Sequence, residues 1–124
     1  MRVKALVALF REARPVGDVV SARLTYSVFE TPESFILITQ SGPRSGNFNV
    51  VDRRAVERVH ARFGGRSDLT SAELLRRMKN RNGIRDRFDA LRVLYVLEAS
   101  GQATRREAKA PARGFVFRLR KPKR

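Results

Sequence analysis

The feature that most constrains the fold of this chain is a series of helix-boundary signals in its second half. Thr70–Glu73 has the sequence of a capping box, in which the side chains at the two ends satisfy each other's free backbone N–H groups, and Leu69 with Leu74 supplies the flanking hydrophobic staple. These residues predict a helix from 71 to about 79. The polar stretch Asn80–Gly83 then predicts a tight turn.

Two further helices and a hairpin complete this half. Asp52 is a typical N-cap, and Gly64 with Gly65 ends the helix that it begins. A longer helix is predicted over 85–99, closed by Gly101, and two strands over 103–107 and 115–120 flank a loop that contains Pro111 and Gly114. The predicted order is therefore helix, helix, turn, helix, hairpin. The inner face of the first of these helices holds Val56, Val59, His60 and Phe63.

The first half has a different pattern. Apolar residues at i, i+3, i+4 and i+7 predict a helix from about 2 to 13, which Pro15 and Gly17 end. From Val20 to Val28 apolar and polar residues alternate, as in a half-buried strand. Apolar residues at 35–39 and an alternation around 47–50 add two more strands, so we expect a three-stranded antiparallel meander.

The charge predicts the kind of partner. The 27 basic residues exceed the 12 acidic ones, for a net charge of +15, and this excess grows from +2 over residues 1–50 to +5 over 51–100 and +8 over 101–124. Such an excess is typical of a surface that binds a polyanion. The chain has no cysteine and one histidine, His60, so we expect no catalytic residues, no metal site and no cofactor. Neither a signal peptide nor a run of about 20 apolar residues is present, so we predict a cytoplasmic, nucleoid-associated protein that does not bind membranes.

The second half resembles the winged helix-turn-helix superfamily of DNA-binding domains over roughly Asp52–Arg120. The resemblance depends on the order of elements, with LTSAELLRRMK as the positioning helix, RDRFDALRVLYVLEASG as the recognition helix and QATRREAKAPARGFVFRLR as the wing. It implies that the recognition helix enters the major groove and that the wing lies along phosphates or an adjacent minor groove. The acidic ligands of metal-dependent repressors are missing, so metal sensing is not implied.

Together these patterns predict an α+β protein: an N-terminal helix and meander at 1–51 that serves as a lid or dimerisation surface, a winged helix-turn-helix at 52–120 and a basic tail at 121–124. On the longest helix, Arg85, Asp89, Arg92 and Val96 form the predicted outer row, and Ile84, Phe88, Leu91, Leu94 and Leu97 the inner face. The residues predicted to contact nucleic acid are Arg81, Arg85, Arg87, Arg92, Arg105, Arg106, Lys109, Arg113, Arg118, Arg120 and Lys121.

Several alternatives stay open at this point. Arg85 and Arg92 either read base edges in the groove or form ordinary helix ion pairs with Asp89. The preferred function is a non-enzymatic protein that binds duplex DNA, as a homodimer, in transcription regulation or chromosome organisation. The alternatives are an RNA-binding component of a ribonucleoprotein, because charge does not distinguish the two polymers, and a nuclease-type processing subunit, for which no catalytic constellation is recognisable.

Overall fold

The computed structural model describes residues 10–21, 24–42, 45–80, 83–109, 111 and 113–122. Among these residues the strands of the first half are β1 (Arg14–Val20), β2 (Thr25–Glu30), β3 (Ser34–Gly42) and β4 (Ser45–Asp52). They are followed by the helices α1 (Arg53–Phe63), α2 (Ser71–Met78) and α3 (Arg87–Ala99). The hairpin strands β5 (Ala103–Glu107) and β6 (Phe115–Leu119) come last. The predicted α+β class is confirmed.

The first half forms an antiparallel sheet of four strands in the order β1-β2-β3-β4, not the three that we predicted. The predicted strand over Val20–Val28 is confirmed from Thr25 to Val28, within β2, but Val20 ends β1 and pairs with Thr25 across a turn, where the Ser21 N–H donates to the Leu24 carbonyl at 2.8 Å. This turn gives β1 its own alternation. Val19 is fully buried, whereas Val20 is 66% exposed.

The start of β1 also differs from the prediction. Pro15 and Gly17 lie inside the strand, where the register of its pairing with β2 shifts between them. A bulge of this kind tolerates proline, which has no N–H to donate to a neighbouring strand. Of the predicted helix over 2–13, residues 10–12 are helical, and residues 2–9 lie outside the described residues.

The helix caps follow the sequence with one exception. The Asp52 carboxylate accepts a hydrogen bond from Arg54 N at 2.8 Å, and the Thr70 hydroxyl accepts one from Glu73 N at 3.1 Å. The reciprocal half of the capping box is absent among the described contacts, because both oxygens of Glu73 accept hydrogen bonds from Arg66, at 2.9 and 3.0 Å. The Arg66 guanidinium also holds the pKa of the Glu73 carboxyl below its ordinary value.

The core is built around α3. Ala90 and every residue of 93–97 are buried, so this helix is apolar on nearly all sides and must be covered all round. The sheet covers one side and α1 and α2 another, and one cluster of buried residues unites Val19, Val28 and Leu37 with the helices. The hydrophobic core therefore crosses the predicted boundary between 1–51 and 52–120.

The sheet approaches the C-terminal end of α3 closely. A Cβ atom at Gly17 would lie 2.7 Å from the Ala99 carbonyl oxygen, nearer than carbon and oxygen atoms pack. Glycine is therefore needed at this point of β1. No helix within the described ranges has both the length and the apolar composition of a membrane span.

Candidate nucleic-acid interface

The C-terminal hairpin is held from both sides of β6. On one side β6 pairs with β5, and on the other it meets the segment 65–69, which connects α1 to α2. Leu69 and Phe117 exchange two backbone hydrogen bonds of 3.0 and 2.8 Å, and Leu119 accepts from Gly65 N and donates to Arg66 O. Backbone hydrogen bonds therefore connect the hairpin directly to the segment between α1 and α2.

Strand alternation gives the hairpin two chemically different faces. The inner face packs on the core and includes Ala103, Phe117 and Leu119, which are 4%, 0% and 2% exposed. The outer face carries Thr104 opposite Arg118 and Arg106 opposite Val116. The predicted division into a core-facing side and a basic side is thus present in part: Val116 is buried although it lies on the outer face, and Arg105, opposite Phe117, lies on the inner one.

The cations outside this core-facing side have no partners within the described part of the protein. Among the described residues, six of the predicted contact residues in and around the hairpin are exposed and form neither an ion pair nor a side-chain hydrogen bond: Arg106, Lys109, Arg113, Arg118, Arg120 and Lys121. We call these six residues the hairpin cations. The strands of the hairpin hold one acidic residue, Glu107, opposite Phe115. Without internal neutralisation, the hairpin cations produce a positive field that extends into solvent.

Three of the hairpin cations line a concavity. Arg118, Arg120 and Lys121 surround a space of about 480 Å³, which Thr104, Leu119 and Gly65 complete. None of these six lining residues is acidic, and the Thr104 hydroxyl adds a hydrogen-bond donor. This combination suits a phosphate group, because a phosphate oxygen accepts hydrogen bonds from both guanidinium and hydroxyl groups. Sequence reasoning missed Thr104, although the alternation of β5 already places it on the same face as Arg106.

A larger concavity, of about 660 Å³, lies near the start of β1 and contains none of the predicted contact residues. Arginine and glutamate side chains both line it, among them Arg53 and Glu30, whose guanidinium and carboxylate lie 3.2 Å apart. Arg53 also donates to the carbonyls of Thr31 and Pro32. The charges that line this concavity are therefore partly paired within the fold, unlike those of the hairpin cations.

The position of Arg105 corrects its assignment to the interface. The side chain is 11% exposed, and its Nε lies 2.9 Å from Oε1 of Glu98 on α3. Its Nη2 donates to the Val20 carbonyl, and the guanidinium lies 4.3 Å from the ring centre of Phe115 and 5.4 Å from that of Tyr95. Arg105 therefore connects the hairpin to α3 and β1, and it is not available to a phosphate.

The ion pair between the hairpin and α3 is close but imperfectly aligned. Oε1 of Glu98 and Nη1 of Arg105 have no hydrogen-bond partner among the described residues, although the two side chains are within ion-pair distance. Burial raises the pKa of the neighbouring Tyr95 phenol, and the Arg105 charge acts in the opposite direction. Such a pair depends on both partners, because either charge alone would remain poorly solvated.

The predicted outer row of α3 is largely covered. Val96 is fully buried, and Asp89 binds both arginines of the row, with its oxygens 3.1 Å from Arg92 and 3.6 Å from Arg85. The ion-pair alternative for Arg85 and Arg92 is therefore present in the structure. Arg85 keeps 79% of its side chain exposed, whereas Arg92 keeps 29%.

The first turn of α3 is open to solvent. Arg87 is exposed and unpaired within the described part of the chain, and Phe88 is 69% exposed, so its placement on the inner face is wrong. Arg81 lies outside the described residues. The sequence spacing suggested burial for Phe88 because it lies four residues after Ile84, which is indeed buried.

Within the described ranges, no three His, Asp or Glu side chains converge as metal ligands would. His60 Nε2 lies 2.8 Å from the Arg120 carbonyl oxygen, and since a carbonyl only accepts, this nitrogen carries the proton.

Comparison with known proteins gives no match to a family model, a curated protein or a solved structure.

Proposed function

We propose that this protein is a non-enzymatic DNA-binding protein of the winged helix-turn-helix type, acting in transcription regulation or chromosome organisation. The observation that carries the proposal is the set of hairpin cations, which are exposed and unpaired among the described residues. The order of α1, α2, α3 and the β5–β6 hairpin is the order that the resemblance implies. In this arrangement the hairpin is the wing and its outer face follows the phosphates.

Because its outer row is largely covered, only part of α3 is accessible to the duplex. Val96 is buried and Asp89 pairs with Arg85 and Arg92, so the accessible cations lie at the N-terminal end of the helix: Arg87 in the first turn and Arg85 just before the N-cap. We therefore place the first turn, and not the whole length of α3, against the duplex.

Salt dependence tests the proposal. Fluorescence anisotropy with a labelled duplex should show binding that weakens steeply as salt rises, because each phosphate contact releases condensed counterions. A triple variant, Arg106→Gln, Arg118→Gln and Arg120→Gln, should reduce the slope of log K against log salt by about 0.9 for each phosphate that the variant no longer neutralises. The matched control removes three exposed arginines elsewhere: Arg11→Gln, Arg14→Gln and Arg58→Gln.

The control separates a binding surface from a general effect of net charge. Both variants lower the charge by the same amount, but the control should keep most of the wild-type slope. Equal losses in the two variants, or a wild-type protein that binds no duplex at low salt, would contradict the proposal. Competition with structured RNA tests the choice of polymer, and light scattering tests the proposed homodimer.

A further inference from the structure

The most exposed large apolar side chain among the described residues is Phe88, at 69%. It lies in the first turn of α3, and its ring has no aromatic or cation–π partner among the described contacts. An aromatic ring left in water forgoes a large amount of burial free energy. Its exposure therefore suggests a contact made with a partner.

The surroundings of Phe88 are cationic. Arg92 follows it by four residues and so neighbours it on the helix surface, Arg87 is adjacent in sequence, and Arg85 lies just before the N-cap Asp86. These three arginines outnumber the two nearby carboxylates, Asp86 and Asp89, of which Asp89 pairs with Arg85 and Arg92. Arg85 is 79% exposed, and Arg87 is exposed without an ion pair among the described residues. A cationic rim disfavours a second copy of a chain with net charge +15 and favours a polyanion.

Phe88 shares a helix face with residues that the hairpin covers. Tyr95 and Glu98 follow it at i+7 and i+10, and both contact Arg105 of β5. Phe88 is about 10 Å from Tyr95 along the axis, given a rise of about 1.5 Å for each residue. The hairpin thus packs on the C-terminal half of this face and leaves the N-terminal half, with Phe88, open.

An exposed phenyl ring among arginines has the chemistry of a base-stacking contact, in which the ring stacks on a nucleobase and the cations bind adjacent phosphates. In an intact duplex the base faces are already stacked on each other, so the ring needs bases that are unpaired or unstacked. Apolar side chains also enter opened base steps of kinked DNA. From Phe88 and its rim of arginines we infer that the protein binds DNA with locally unstacked bases more tightly than intact duplex.

This inference rests on the proposed function, and the experiment keeps the two separable. Anisotropy titrations compare a fluorescein-labelled duplex with the same duplex carrying a gap of a few unpaired nucleotides, using the full chain. The wild-type protein should prefer the gapped DNA by about tenfold, a typical effect of one base–aromatic stack. Phe88→Ala should lower the affinity for the gapped DNA more than the affinity for intact duplex, so that the preference falls below about twofold.

Matched variants identify the role of the ring. Phe88→Trp should keep the preference because an indole also stacks, whereas Val20→Ala removes a similarly exposed apolar side chain elsewhere and should change neither affinity. An equal affinity of the wild-type protein for both DNAs, an unchanged preference in Phe88→Ala, or an equal loss on both DNAs would overturn the inference. A dimer that dissociates on Phe88→Ala, seen by light scattering, would assign the ring to a second copy and would also overturn it. Absence of any DNA binding by the wild-type protein would instead overturn the proposed function.

Discussion

Arg105 and Arg106 are neighbours in the same strand, yet they lie in opposite environments. Arg105 is 11% exposed and contacts Glu98, Tyr95, Phe115 and the Val20 carbonyl, whereas the exposed Arg106 has no side-chain partner among the described residues. The two differ only in which face of β5 they occupy. The position of an arginine in the strand alternation, and not its abundance in the sequence, thus decides whether it stabilises the fold or remains free for a ligand.

The largest expected effect is a loss of stability when Arg105, the buried member of the pair, is replaced. Arg105→Ala should lower the free energy of unfolding by about 3 kcal/mol, because it leaves the Glu98 carboxylate partly buried without its counter-charge. Chemical denaturation monitored by circular dichroism measures this difference. A decrease below about 0.5 kcal/mol, the range of ordinary surface substitutions, would show that the ion pair does not hold the hairpin.

A double variant serves as the control. Arg105→Met with Glu98→Leu replaces both charged groups by apolar side chains, so it should recover much of the missing stability. A double variant as unstable as Arg105→Ala would instead assign the effect to the contacts of Arg105 with the aromatic rings and the Val20 carbonyl.

The second largest effect concerns the uncharged hydroxyl of Thr70, which caps α2. Thr70→Ala should cost about 1 kcal/mol, because the free N–H at the start of α2 loses the hydroxyl that accepts from it at 3.1 Å. Thr70→Ser keeps the acceptor and should retain most of the stability. Thermal and denaturant unfolding of both variants test this, and equal losses would show that the methyl group of threonine matters more than its hydroxyl.

A smaller effect should depend on pH. Because Arg66 lowers the pKa of Glu73 in the folded protein, the ion pair stabilises the fold fully above the ordinary pKa of 4.5. This stabilisation is lost as the pH falls through the lowered value in the folded state. The stability difference between the wild-type protein and Glu73→Gln should therefore be present near pH 7 and shrink below about pH 4. A difference that stays constant over this range would contradict the assignment.

The smallest effect on stability is expected for the hairpin cations. Arg106→Ala and Arg118→Ala should each change the free energy of unfolding by less than about 0.5 kcal/mol, since both side chains are exposed and unpaired among the described residues. Denaturation curves that overlay the wild type, together with a weaker salt dependence of duplex binding, would sharpen the contrast with Arg105. A large destabilisation by either variant would contradict this contrast.

Much of the second half could be predicted from the sequence because its boundaries are set by local chemistry. The Asp52 and Thr70 caps form as predicted, and the strands of the hairpin fall at the expected residues. The first half was harder. The alternation continues without interruption from β1 into β2, and the sequence between the two strands contains none of the glycine, proline or asparagine residues that mark turns, so one strand was predicted in place of two.

The candidate site was predicted only in part, since periodicity gives the face of a residue but not what packs against that face. The alternation of β5 would have separated Arg105 from Arg106, but the partner Glu98 comes from a different element. For α3 the spacing indicated an exposed row, but Val96 is buried by tertiary packing that spacing does not reveal. Phe88 is the opposite case: its spacing indicated burial, but no described element covers it.

The pairing of β6 with the segment 65–69 has a consequence for how the protein opens. Leu69 and Phe117, which exchange two hydrogen bonds, are separated by most of the helical region in sequence. The hairpin strands consequently cannot separate from the helices without also releasing the start of α2. We expect the amide protons of these two residues to exchange with deuterium at the slow rate of the helical core, so that the hairpin and the helices behave as one cooperative unit.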